Sequence, residues 1–195
     1  MSPILGIIAS SFRSAAGPDG AYDALATVTV PSGGLSTITF AGIPTGYKHL
    51  QIRYIARASG SVAYDFPRIR FNSDTASNYS WHVVRGDGNS ATAAAGATQS
   101  TGYLPAITGA TAASNIFGVG VTDILDYAAT NKAKTVKTLG GYDANGVAAF
   151  NISFSSSAWY KNTSSVYEAV NSIDLTVDGG SNFAQHSQFA LYGVK

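Results

Sequence analysis

Between Lys48 and Ala58 the side chains alternate without a break. Leu50, Ile52, Tyr54 and Ala56 fall on one face, and His49, Gln51, Arg53 and Arg57 on the other. A period of two marks a half-buried β-strand, because successive Cβ atoms point to opposite sides of the pleat. The pattern recurs in Leu25 to Val30, where Ala26, Val28 and Val30 oppose Thr27 and Thr29. It appears again at Ile38 and Phe40, beyond the Pro31-Ser-Gly-Gly34 turn, which predicts a hairpin. Further strands are predicted at 68–72, 78–85, 116–127, 134–142, 147–154, 170–177 and 188–194. Turn chemistry at Arg85-Gly-Asp-Gly-Asn-Ser90, Asn145-Gly146 and Asp178-Gly-Gly180 separates most of them.

Helix signals are nearly absent. The best candidate is a single turn over Asp123 to Thr130, where a strand ending in a loop fits equally well. The Ala/Thr/Gly/Ser stretch from Asn89 to Gly102 reads as an exposed loop. No repeat is visible, which argues against solenoids and propellers. Many short strands without helices predict an all-β fold, specifically an antiparallel two-sheet β-sandwich of jelly-roll type.

A chain of 195 residues is long enough to bury one core without staples, and it contains no Cys to form them. The reading is one β-sandwich domain over residues 21–195, preceded by an extended N-terminal arm over residues 1–20. The arm carries Pro3, Ile4, Leu5, Ile7, Ile8 and Phe12 ahead of the Gly17-Pro-Asp-Gly20 turn, and these are taken as partner-binding residues. Its apolar run lacks a basic leader and is too short for a bilayer, so it reads as part of the mature protein, with no membrane partner. Charged residues make up 12% of the chain against a usual share of about 25%, and the net charge is +1. Such a chain has no long-range field to attract nucleic acid. Arg53, Arg57, Arg68 and Arg70 form the one basic concentration and read as strand-face charges that keep a surface soluble.

Chemistry-bearing residues are sparse: three His, and a single Glu at position 168. His49 and His82 lie in alternating strands and His186 in a polar loop, without a Gly-x-Ser-x-Gly elbow. Asp123 and Asp126, three apart, fall on opposite faces of a strand rather than forming a glycosidase pair. Asp74, Asp87, Asp143 and Asp178 sit in turns where an Asx side chain serves the backbone, so no metal or other cofactor is expected. Gly118-Val-Gly120 has no third glycine and opens no helix, unlike a phosphate cradle. Arg85-Gly86-Asp87 spells an adhesive tripeptide, yet a hairpin turn already demands those residues. Asn78, Asn151 and Asn162 match a glycosylation pattern that has no meaning without a secretory leader. Trp81, Trp159 and Tyr160 are the candidate interface or glycan contacts, because interfaces deplete charge and enrich aromatic residues. The chain therefore reads as a surface rather than an enzyme.

Five segments carry a family resemblance. They are the opening Ser-Pro-Ile-Leu-Gly-Ile-Ile-Ala-Ser-Ser, Tyr47-Lys-His-Leu-Gln-Ile-Arg-Tyr-Ile-Ala-Arg57, Phe71-Asn-Ser-Asp-Thr-Ala-Ser-Asn-Tyr79, Ile124-Leu-Asp-Tyr-Ala-Ala-Thr-Asn-Lys132 and Phe189-Ala-Leu-Tyr-Gly-Val-Lys195. Together they resemble uncharacterised structural proteins of tailed bacteriophages, a kind that includes head-decoration (cement) proteins and distal tail-fibre domains. The resemblance implies a virion component and points to a homotrimer. The leading expectation is a decoration protein on the outer capsid surface, with the major capsid protein and copies of itself as partners. The alternative is a receptor- or glycan-binding tail protein, and only under that reading is a glycan a partner.

Overall fold

The computed structural model describes residues 20–144 and 150–195, so the predicted arm with Pro3, Ile4, Leu5, Ile7, Ile8 and Phe12, and the Asn145-Gly146 turn, lie outside the described residues. In chain order the strands are β1 (Tyr22–Thr29), β2 (Thr37–Ala41), β3 (His49–Ala56), β4 (Tyr64–Asp65), β5 (Pro67–Phe71), β6 (Tyr79–Gly86), β7 (Ala91–Gln99) and β8 (Gly102–Tyr103). They continue as β9 (Ile107–Thr108), β10 (Gly118–Leu125), β11 (Lys134–Asp143), β12 (Phe150–Trp159), β13 (Asn162–Thr163), β14 (Val166–Tyr167), β15 (Ser172–Val177) and β16 (Gln188–Val194). The one helical element among the described residues is a 3-10 turn at Asp178–Gly180. The chain is all-β, as its alternation predicts.

An eight-stranded sheet, in the order β1-β16-β3-β10-β11-β12-β6-β7, packs on a four-stranded sheet ordered β2-β15-β5-β8. The pairs between strands are antiparallel and nested: β1 with β16, β2 with β15, β3 with β10, β5 with β8. Leu50, Ile52 and Tyr54 of β3 and Phe189 and Leu191 of β16 meet Ile38, Phe40, Ile69, Phe71, Ile173 and Leu175 of the smaller sheet in one core. Each such side chain contributes about 1.5–3 kcal/mol on burial, so the face assigned to Leu50, Ile52, Tyr54 and Ala56 holds the two layers together.

The predicted hairpin between the first two strands does not form. β1 pairs with β16 and β2 with β15, so the Pro31 to Gly34 turn carries the chain from one sheet to the other. That turn is closed by the Gly34 N–H donating to the Pro31 carbonyl at 3.1 Å. Alternation is identical for a hairpin and a crossover, which is why the pattern alone misassigned the partners.

Two hairpins extend the larger sheet, β11-β12 and β6-β7. Strand β7 occupies the stretch predicted as a loop, pairing along β6 from Gly86↔Ala91 to Trp81↔Gly96. Its small residues fit beneath an aromatic ring, since a Cβ at Gly96 would lie 2.6 Å from Trp81 Cε2. Asp123 to Thr130 is the end of β10 followed by a turn, with Asp126 in the left-handed region at φ 51°.

Beneath this extension the segment 102–108 lies across the inner face of β11 and β12. The Tyr103 N–H donates to Ser157 Oγ at 3.0 Å, and Ser155 Oγ–H donates to the Tyr103 carbonyl at 3.2 Å. A backbone this close leaves room only for small side chains. Strand β12 therefore buries Ser153, Ser155 and Ser157 and turns Ile152 and Phe154 outward, the reverse of ordinary burial.

Candidate functional site

The outward turn of β12 belongs to a wider pattern. Strand register places Arg53, Val121, Leu139, Phe154, Val84 and Ala93 in one row across the outer face of the larger sheet. The next row runs Ile55, Val119, Gly141, Ile152 and Gly86. Seven of these, Ile55, Val84, Val119, Val121, Leu139, Ile152 and Phe154, are 42% to 59% exposed. Across β3 to β6, four strand spacings or about 19 Å, they form one apolar patch of roughly 600 Å², at the upper limit for the surface of a monomer.

A hollow of about 950 Å³ opens within this face, lined by Ile55, Phe117, Val119, Val121, Leu139 and Ile152 among others. Gly141, between Val119 and Ile152 in the row, contributes no side chain to fill it. Phe154 and Val84 stand beside the hollow. On the other side of the patch a polar row of Gln51, Asp123, Lys137, Ser156 and His82 forms a boundary. Within it, Gln51 Nε2 donates to Asp123 Oδ1 at 2.8 Å and Arg53 Nε donates to Gln51 Oε1 at 2.7 Å.

The basic concentration has structural roles that its solubilising reading missed. Arg57 anchors the loop before β10 through four carbonyls: Ala113 at 2.7 Å, Ala112 at 2.8 Å, Ile116 at 3.0 Å and Ala110 at 3.2 Å. That loop delivers Phe117 to the hollow. Arg53 lies against the rings of Tyr22 and Tyr192, at 5.5 and 5.2 Å. Arg68 pairs with Asp178 at 2.6 Å and stacks over Tyr103.

The three aromatic contact candidates separate. Trp159 is 1% exposed and belongs to the core, packed on Phe71 and Tyr79, so it cannot meet a partner or a sugar. Its Nε1–H donates to Asp74 Oδ2 at 2.7 Å, beside the Asn78 amide at 2.9 Å, while Asp74 Oδ1 accepts the Ala76 N–H at 3.0 Å. Burial pushes the Asp74 carboxyl upward, but these hydrogen bonds outweigh it and hold the group below the usual carboxylate range. Tyr160 is half-buried and donates its hydroxyl to the Ser77 and Tyr79 carbonyls. Trp81, half-buried on the inner face, packs on Tyr103 with ring centroids 4.9 Å apart. None of the three lies on the apolar patch.

The titratable groups weighed for catalysis are dispersed. The Asp126 N–H donates to His49 Nδ1 at 3.0 Å, and Lys132 pairs with the Asp126 carboxylate at 2.7 Å, holding it below its ordinary range. Asp123 serves Gln51, His82 is exposed on the outer sheet face, and His186 sits in a loop at φ 72°. Asp87 Oδ1 accepts the N–H groups of Asn89 and Ser90, the turn role expected of the Arg-Gly-Asp tripeptide. Among the described residues no three His, Asp or Glu side chains converge as a metal-holding group, and no helix is long and apolar enough to cross a membrane.

Fold and surface together define an all-β chain whose larger sheet presents an apolar outer face. No protein-family model, no curated protein and no solved structure matches the chain. The prediction of a strand over 147–154 assigned no face to Ile152 and Phe154, so it did not disclose the patch. The run Ser153, Ser155, Ser157 alternating with them was the available signal.

Proposed function

We propose that this chain is a structural protein of a tailed-phage virion that works by binding rather than by catalysis, as a decoration protein on the outer capsid surface. The observation that carries the reading is the apolar outer face of the eight-stranded sheet, which water alone leaves poorly covered and a protein neighbour satisfies. The low charge of the chain and its resemblance to phage structural proteins support the same reading. The nested pairing of β1 with β16, β2 with β15, β3 with β10 and β5 with β8 is the order of a long hairpin wrapped into two sheets. It supports a jelly roll, an architecture common in capsid and lectin domains.

One feature favours the tail-protein alternative. Tyr142, Tyr64, Phe66, Tyr103 and Trp81 form a continuous aromatic series with centroids 4.9 to 6.1 Å apart, flanked by Arg68 and Arg85. Tyr64, 47% exposed, offers a ring face on which a sugar can stack. Quantitative mass spectrometry of purified particles separates the readings. A copy number comparable to that of the major capsid protein supports decoration, a handful per particle supports the tail, and absence from particles overturns both.

A further inference from the structure

The outer apolar face has the size and relief of a contact between copies of the same chain. We propose that it is covered by a second copy of this protein, with the Phe154 and Val84 ridge of one copy seated in the hollow of the next. This rests on the reading of that face as an assembly surface and names its occupant.

Three observations carry the proposal. The first is area: roughly 600 Å² of apolar side chain plus the adjoining polar row reaches the ~800 Å² per partner of a stable interface, with the apolar core that self-associating chains favour. The second is relief. Phe154 and Val84 flank the hollow without lining it, and Gly141 leaves the middle of the row empty, so one face holds both a projection and a recess able to receive a phenyl ring. Two such faces related by rotation close on each other, each ridge filling a neighbouring recess. The third is charge: the bounding row carries Asp123 and Lys137 side by side, so a copy can meet it with opposite charges in register. A face with both signs in its boundary is matched by itself without a net field.

The absence of Cys from the chain makes the test direct. Single Phe154→Cys and Val119→Cys variants of the full chain are mixed in equal amounts under mild oxidation, with Val166→Cys, exposed on β14 outside the larger sheet, replacing one partner as the control. The mixed 154–119 disulfide is expected to form at least tenfold faster than either control pair. In parallel, sedimentation of the wild type at 1–50 µM is expected to give a multiple of 20.1 kDa. Leu139→Lys is expected to shift it to a monomer with an unchanged far-ultraviolet spectrum. Should Leu139→Lys misfold, the cysteine pairs still decide.

A wild-type monomer throughout that range, or mixed disulfides no faster than controls, overturns the proposal. A monomer whose patch becomes dye-accessible only after deletion of Met1 to Ser11 also overturns it, assigning the face to the chain's own N-terminal segment. A monomer that nonetheless binds phage heads through Leu139 overturns the self-contact while leaving the assembly reading intact. An oligomer that never enters particles does the reverse.

Discussion

Replacing Asp74 tests how the buried end of the core is held. The carboxylate, 7% exposed, receives Trp159 Nε1–H, the Asn78 amide and the Ala76 N–H at 2.7 to 3.0 Å. Asp74→Ala strands the indole N–H, and each hydrogen bond to a charged acceptor is worth about 1.5–3 kcal/mol, so a loss of about 3–5 kcal/mol is expected. Asp74→Asn retains one acceptor oxygen for Trp159 and Asn78 but turns an NH₂ toward the Ala76 N–H, for a loss of about 1–2 kcal/mol.

The acid dependence has a definite sign. The folded carboxyl lies below its unfolded value, so its contribution is fully present above pH ~4 and is lost as the pH falls through the folded value. Urea unfolding followed by tryptophan fluorescence at pH 7 and stepwise toward pH 3 measures both effects. Asp74→Asn should lose less stability than wild type over that interval. A cost below 1 kcal/mol for Asp74→Ala, or parallel acid profiles for wild type and Asp74→Asn, refutes the reasoning.

Arg57→Lys keeps the charge but not the planar fork that meets four carbonyls, so amide exchange across residues 110–116 should accelerate at least tenfold while the core strands remain protected. Lys134, fully buried with its ammonium on the Ala129 and Lys132 carbonyls, is held below its ordinary pKa by desolvation. Its charge therefore opposes folding at neutral pH, and wild-type stability relative to Lys134→Met should rise as the pH climbs through the folded value toward ~10.4; a constant difference in urea midpoint from pH 8 upward would contradict this. Deleting Met1 to Ser11 should leave the thermal midpoint of the domain within about 2 °C and weaken incorporation into particles, as measured by mass spectrometry.

What the sequence disclosed follows from which patterns are local. β3 was legible because Leu50, Ile52, Tyr54 and Ala56 alternate against polar residues on a strand buried on one side. β7 was not, because Ala91 to Gln99 forms its ladder with backbone groups and carries almost no side-chain signal of its own. The partners of β1 and β2 depend on strands distant in sequence, which alternation cannot name. Trp159 reads as a surface aromatic only while Asp74, 85 residues away, is unknown as its acceptor. The outer patch stayed hidden because no face was assigned to Ile152 and Phe154, and the strap at 102–108 overrides the rule that apolar alternate residues face inward.

That strap has a consequence for folding kinetics. A slip of β12 by one residue would carry Ile152 and Phe154 to the inner face and the serines to the outer one, and would also turn Trp159 out of the core. The native register keeps Trp159 in the core and lets Tyr103, lying over the inner face of β12, hydrogen-bond to Ser155 and Ser157. The bonds that fix the serine face of β12 therefore form only once a segment some fifty residues earlier has docked, with separations of 52 and 54 positions for the two bonds. Pairing at that distance closes a long loop, so correct assembly of the outer face belongs to the late, slow part of folding.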